Sequence, residues 1–130
     1  MKWSRTARGA SRCGPVLGLD GTVIAATSAE VLGLDPGTGK ARWRYALPAD
    51  EGAQASTPIV DGEGSIYLCT RMGTLVVLTG GGQERFRAPG PFGGVNPAAP
   101  ALGPDGRLYV GLRSSSGAVD RFSVVAIGEP

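Results

Sequence analysis

Apolar residues along this chain gather in short runs of four to six residues, separated by turns rich in glycine, aspartate and proline. The runs 31–34 and 75–78 are almost continuously apolar, as in strands that are covered on both faces. No segment of ten or more residues carries the 3.6-residue period of an amphipathic helix. The pattern therefore predicts an all-β fold.

The same order of runs recurs with a fixed period. The segments Pro15-Val16-Leu17, Pro58-Ile59-Val60 and Pro100-Ala101-Leu102 begin equivalent units that are 43 and 42 residues apart. An Asp-Gly turn and a second apolar run follow each segment, and this is a strong hairpin signal because glycine accepts a positive φ. A third run comes next, and a fourth run ends in Trp43 or Phe86. Four short strands in such a period are typical of one blade of a β-propeller.

We therefore predict one domain over residues 1–130, a partial β-propeller of four-stranded antiparallel blades. Strands are expected near 15–19, 22–27, 31–34 and 41–45, and again about 43 residues later. The repeats cover approximately 15–57, 58–99 and 100–130, so that each chain has three blades. Residues 1–5, with Lys2-Trp3-Ser4 at their centre, are predicted to be an outer strand (strand D) that completes a blade.

Residues 33–43 read Gly-Leu-Asp-Pro-Gly-Thr-Gly-Lys-Ala-Arg-Trp. They resemble the tryptophan-docking motif of the PQQ-like (quinoprotein-type) β-propeller repeats, Ala-x-Asp-x-x-Thr-Gly-Lys-x-x-Trp, with only the first residue different. The resemblance implies structural roles, and these fall on Asp35, Thr38, Gly39, Lys40 and Trp43. Asp35 and Thr38 are suited to tie the turn by side-chain hydrogen bonds, and Trp43 to wedge between neighbouring blades.

The motif has two further, incomplete copies. The second copy ends at Phe86, is one residue shorter and lacks the aspartate, so we expect looser docking there. Trp3 precedes Pro15 by 12 residues, close to the 15 residues between Trp43 and Pro58, so we assign Trp3 the docking role of the strand before the first blade.

Charge and composition limit the possible partners. The chain has 13 basic and 11 acidic residues, scattered to a net charge of +2, so nothing indicates nucleic-acid binding. No apolar stretch is long enough to span a membrane, and residues 1–5 lead into no signal-peptide core. We expect a soluble chain of unknown compartment, for which the family resemblance suggests an extracytoplasmic one. Histidine is absent and Cys13 and Cys69 are isolated, so no metal, no cofactor and no bond between these cysteines are expected.

Ligand contacts are expected from loops on a propeller face, which are free of packing constraints. The candidates are Ser56, Thr57 and Asn96 before strand A, the first of each blade, and Arg71, Arg113 and Ser114 between the second and third strands, B and C. Residues 113–121 are predicted to form the longest B–C loop and are the first candidate. The alternative is that these side chains only hydrogen-bond the turns.

These features favour a non-catalytic binding or scaffold module over an enzyme. The family resemblance also implies an alternative, a fragment of a PQQ-dependent quinoprotein oxidoreductase, although the chain has no adjacent-cysteine pair. A third hypothesis is a piece of a longer propeller of seven or eight blades. The expected partner is a second copy of the chain, because three blades do not close a ring and two copies would supply six. Another protein or a small ligand could bind a propeller face.

Overall fold

The computed structural model describes residues 1–11, 13–48, 57–70, 73–88, 100–116 and 119–127. Within these residues the chain is all-β and contains no helix. The strands are β1 (Val16–Leu17), β2 (Val23–Ala26), β3 (Glu30–Leu34), β4 (Ala41–Ala46), β5 (Ile59–Val60), β6 (Ile66–Cys69), β7 (Leu75–Leu78), β8 (Glu84–Ala88), β9 (Ala101–Leu102), β10 (Leu108–Ser116) and β11 (Val119–Ile127).

The strands form three antiparallel sheets in chain order. Two are four-stranded, β1-β2-β3-β4 and β5-β6-β7-β8, and the third, β9-β10-β11, is three-stranded. Equivalent strands pair in equivalent registers, since Val23 lies opposite Leu34, Ile66 opposite Leu78 and Leu108 opposite Ile127. The 42- or 43-residue period is therefore a period of sheets.

Tight turns join the first two strands of each sheet, and one aspartate supports each turn. The aspartates accept backbone N–H groups two residues later, at 3.0 Å for Asp20, 2.9 Å for Asp61 and 3.1 Å for Asp105. A glycine in each turn has a φ of 80° to 88°, which glycine adopts without the steric cost other residues would meet. These glycines are Gly21, Gly64 and Gly106.

The core lies between the sheets. Ile24, Ala26 and Val31 of the first sheet form one buried cluster with residues of the second, which are Ile66, Leu68, Val76 and Leu78. A second cluster joins the other face of the second sheet to the third and contains Cys69, Leu75, Val77, Leu108 and Val110. Strands β3 and β7 are buried along their whole length, because each pairs with another strand on both edges and side chains pack on both of its faces.

The predicted loop 113–121 is wrong in its secondary structure. Residues 113–116 belong to β10 and residues 119–121 to β11, so Arg113 and Ser114 lie in a paired hairpin, opposite Phe122 and Arg121. Three consecutive serines indicated a loop because serine has a weak strand preference. The backbone hydrogen bonds of a regular antiparallel ladder between β10 and β11 outweigh that preference.

Residues 1–5 pair with no described strand of their own chain, so their role as a strand D that completes a blade stays a prediction. The following residues are held over the β2–β3 turn. Ser28 N–H donates to the Ala10 carbonyl at 2.8 Å, and Arg8 N–H donates to Oε1 of the buried Glu30 at 3.0 Å. Arg44 also contacts this carboxylate, at 3.2 Å. The N-terminal segment is thus tied to the first sheet.

Candidate functional site

The turn between β3 and β4, residues 35–40, is organised by one carboxylate. Oδ1 of Asp35 accepts the backbone N–H of Gly37 at 2.8 Å, the N–H of Thr38 at 2.9 Å and the Thr38 hydroxyl at 3.1 Å. Oδ2 accepts from Nη2 of Arg42 at 2.8 Å. We call residues 35–40 the first motif turn.

The charge of Asp35 is strongly stabilised. The Arg42 guanidinium, followed by the backbone N–H groups of Thr38 and Gly37, lowers the pKa of the Asp35 carboxyl to about 2. The carboxylate therefore remains ionised far below neutral pH. Its bonding capacity is used to hold the turn, and Lys40, the remaining polar motif residue, is exposed beside it.

The indole of Trp3 lies on the first motif turn. Its Nε1 donates to the Pro36 carbonyl at 2.9 Å. A Cβ atom on Gly39, where φ is 71°, would overlap the Trp3 ring, so only glycine leaves space for it there. An aromatic residue from the preceding segment therefore lies flat against a glycine of the following sheet.

Trp43 occupies the equivalent position one repeat later. Its ring lies against Gly82, in the turn between β7 and β8, and also against Gly33 of its own sheet. Its buried Nε1 has no hydrogen-bond partner among the described residues. The turn that receives Trp43, residues 79–83, is shorter than the first motif turn. Gly82 N–H closes it onto Thr79 three residues back, whereas Gly39 closes the first onto Asp35 four residues back. We call residues 79–83 the second motif turn.

Phe86, the aromatic residue of the second repeat, is 54% exposed. It lines a cleft of about 610 Å³ between the second and third sheets. Apolar residues Leu75, Val77, Leu108 and Ile127 line this cleft, together with Asp61, Glu63 and Arg85. The equivalent cleft between the first and second sheets measures about 200 Å³.

An arginine in each outer strand stabilises this end of the sheets. Nη1 of Arg42 donates to Oγ1 of Thr22 at 2.8 Å, and Nη1 of Arg85 donates to Oγ of Ser65 at 2.9 Å. Each arginine sits where the register of the outer strand shifts by one residue, so its side chain reaches across the intervening strand. The contact therefore occurs at equivalent positions in the first two sheets, where it holds the outer strand to the start of the second strand.

Three polar residues that sequence reasoning did not single out connect the outer strands of the first two sheets. The Tyr45 hydroxyl donates to Oε1 of Glu84 at 2.6 Å, and Arg87 donates to that hydroxyl at 2.6 Å and to the same carboxylate oxygen at 2.9 Å. The Tyr45 and Arg87 bonds lower the pKa of Glu84, while burial and Glu84 raise the pKa of Tyr45. Tyr45 and Glu84 are 39 residues apart, so no local pattern indicates the contact.

The predicted ligand-loop residues are described only in part. Ser56, Arg71 and Asn96 lie outside the described residues, and Thr57 is half-buried just before β5. Arg113 and Ser114 lie in the β10–β11 hairpin, where five residue pairs extend beyond Gly111 and Val124. We call residues 112–116 and 119–123 the hairpin arm. At about 3.4 Å per residue, the five residue pairs of the arm make β10 and β11 about 17 Å longer than the four-residue strands β6 and β7.

The two cysteines lie in different environments. Burial raises the pKa of Cys69 to about 11, so its thiol stays protonated and unreactive at neutral pH. Cys13 is half-buried near the Ala26 carbonyl, at 3.5 Å. In the described part of the chain, no three metal-ligating residues are grouped closely enough to hold an ion. A search over the same residues for a helix able to cross a membrane finds none.

Antiparallel sheets in chain order that repeat every 42 or 43 residues, with an aromatic contact between successive units, define the chain as a protein of the β-propeller repeat class. A family model described as outer membrane protein assembly factor BamB, built on PQQ-like repeats, matches residues 2–110. The chain belongs to this family. A search of curated proteins found no match.

Proposed function

We propose that the chain is a non-catalytic binding and scaffold module whose recognition element is the hairpin arm. The observation that carries the proposal is the length of β10 and β11, nine residues each against four or five in the equivalent strands β2, β3, β6 and β7. A ribbon of two strands is marginally stable by itself in water. An extended ribbon at the end of a packed sheet is suited to contact a partner, which would stabilise it.

The recurring polar residues at the end of the sheets opposite the hairpin arm support a structural role there, rather than a catalytic one. Asp35, Asp61 and Arg42 are each engaged in holding turns or strands. The family description, an assembly factor, is that of a protein that works with other proteins. We therefore propose a protein as the partner of the arm and, following the same description, an extracytoplasmic location.

The test is a chimera in which residues 112–123 are replaced by Thr-Arg-Met-Gly-Thr, the connection between β6 and β7. The second sheet shows that this connection fits the same register, so the chimera should unfold at the wild-type denaturant concentration. Proteins retained by the immobilised wild-type chain from a cell extract are identified and purified, and their affinity for both proteins is measured. At least a tenfold loss in the chimera is expected, because the arm would supply the main contacts.

The matched control is Arg107→Ala, at the other end of the third sheet, which should leave the affinity within twofold. Equal affinity of wild type and chimera for every purified partner would contradict the proposal.

The quinoprotein alternative has less physical support. PQQ carries three carboxylates, yet Asp61 and Glu63 line the cleft between the second and third sheets, and the arginine that lines it, Arg85, already donates to Ser65. The described lining of this cleft therefore disfavours a cofactor with three carboxylates. A titration with PQQ and calcium followed by absorption spectroscopy tests the alternative, and we expect no spectral change.

We also propose that the module self-associates, with two copies forming a six-bladed ring. In the described fold, Val124 on the outer face of the third sheet is 64% exposed and Val23 and Ala25 of the first sheet are half-buried, and association would cover these residues.

A further inference from the structure

We infer that residues 1–5 of a second copy add to the free edge of β11 as the fourth strand of the third sheet. The inference rests on the self-association proposed above and names the two segments that meet. It follows from the positions of residues 1–5, from the open surfaces of the third and first sheets, and from the register of the repeats.

Residues 1–5 lie where the outer strand of a preceding sheet would lie, but no described strand pairs with them. Trp3 lies on Gly39 as Trp43 lies on Gly82, so the segment before β1 relates to the first sheet as β4 relates to the second. β4 pairs along its length with β3, whereas no described strand of the chain pairs with residues 1–5. The missing neighbour is therefore a strand equivalent to β3.

β11 is equivalent to β3 and has a free edge. Among the described residues it pairs only with β10, while β3 and β7 pair on both sides. Val124, at the position of Val31 and Leu75 in those strands, is 64% exposed, against 0% and 3% for its equivalents. This apolar residue lacks the covering that the next sheet gives Val31 and Leu75.

The first sheet presents the complementary surface. Ile66 and Leu68 of β6 are completely buried against the first sheet, and Leu108 and Val110 of β10 are 4% and 1% exposed against the second. Their equivalents in β2, Val23 and Ala25, are half-buried, whereas Leu32 and Leu34, which lie opposite them on the same face, are 1% and 5% exposed, so this face is open along β2 and not along β3. The first sheet of each copy can therefore pack on a preceding blade, and the third sheet of each copy can pack on a following blade.

Two-fold symmetry satisfies both ends at once. Residues 1–5 of each copy pair with β11 of the other, and the Val124 face of each packs on the Val23 face of the other. The exchange is reciprocal and closes with two copies, which leaves no end for further growth.

The repeats define the register of the added strand. Val31 lies opposite Tyr45 and Leu75 opposite Ala88, which places Val124 opposite Arg5 of the second copy. In the same way, Gly33 lies opposite Trp43 and Val77 opposite Phe86, which places Ala126 opposite Trp3.

The experiment combines light scattering with a disulfide trap. Wild-type protein should scatter as a species of twice the 13.2 kDa chain mass. The variant Arg5→Cys/Val124→Cys should form a covalent dimer under mild oxidation, because residues directly opposite have Cβ atoms close enough to bond. The register control is Arg5→Cys/Ala126→Cys, whose cysteines would lie two residues out of register, and at least tenfold less covalent dimer is expected. Arg5→Cys alone reports any bonding to Cys13 or Cys69.

The outcomes separate the two proposals. A folded wild-type monomer at millimolar concentration overturns both self-association and strand addition. A dimer in which the two double variants cross-link equally, or not at all, overturns strand addition and leaves self-association standing. Deletion of residues 1–5 provides a second measurement that needs no cysteine. The deleted chain, checked for folding by circular dichroism, should dimerise at least 100-fold more weakly, and unchanged dimerisation overturns strand addition.

Discussion

Aromatic residues at equivalent positions contribute differently because their surroundings differ. The Trp43 ring is enclosed between Gly33 and Gly82, whereas Phe86 stands half in solvent beside a wide cleft. The sequence already predicts looser contact for Phe86, from its incomplete motif. The orphaned N–H of Trp43 has no such signal, because it depends on the position of a carbonyl group in another repeat.

Trp43→Ala should destabilise the chain more than Phe86→Ala. Truncation of an enclosed aromatic residue costs about 3 to 5 kcal/mol, and a half-exposed phenylalanine contributes about 1 to 2 kcal/mol by the area it buries. Urea denaturation of both variants and the wild type measures the difference. Equal midpoints for the two variants would count against the enclosed position of Trp43.

The ion pair of Asp35 predicts a loss of stability in acid. Its pKa is about 2 in the folded chain against 3.8 for the unperturbed group, so its contribution is fully present above about pH 4 and is lost as the pH falls towards 2. Asp35→Asn should therefore flatten the dependence of the unfolding free energy on pH in that window. An Asp35→Asn variant that keeps the wild-type slope in that window would contradict this contribution.

At the scale of elements, the sequence periodicity predicted the sheets. It did not predict the hairpin arm or the Tyr45 cluster, because these depend on contacts between residues that are distant in the chain. Apolar runs and Asp-Gly turns located β2, β3, β6 and β7 to within a residue or two, because alternation and turn chemistry are local. The hairpin arm was missed because its strands are polar and stabilised by each other. The Tyr45 cluster was missed because its members come from different repeats.

The length of the second motif turn explains the unpaired Trp43 N–H and can be tested by a graft. Replacement of residues 79–82 by Asp-Pro-Gly-Thr-Gly, the sequence of residues 35–39, should place a carbonyl where Pro36 receives Trp3. Satisfying a buried donor should stabilise the chain by about 1 to 2 kcal/mol, measured by urea denaturation. The same graft in a Trp43→Phe background should give a smaller gain. An equal gain there would attribute the effect to the turn itself.

At the scale of the whole molecule, each sheet is stabilised mainly by its neighbours. The second sheet has a buried cluster on both faces, whereas the third has one described cluster and a free strand edge. The outer surfaces of the first and third sheets are therefore the parts of the described fold whose stability depends most on what covers them.

Hydrogen exchange should reveal this gradient. Backbone amides of β7 should exchange slowly at all protein concentrations, because the strand is paired on both edges. Amides of β11 near Val124 should exchange faster in dilute protein and become protected as concentration rises. Mass spectrometry of peptides at two protein concentrations measures both strands. Protection of β11 equal to that of β7 in dilute protein would contradict the gradient.

The placement of each aromatic residue on a glycine of the following sheet has a consequence for how such chains change during evolution. Trp3 belongs to one unit and Gly39 to the next, and the same division separates Trp43 from Gly82. A duplicated stretch of one period carries one aromatic residue and one glycine that receives an aromatic residue, wherever its boundaries fall. Gain or loss of a whole repeat therefore leaves every remaining junction complete, so the number of blades is free to vary while the chemistry that joins them stays the same.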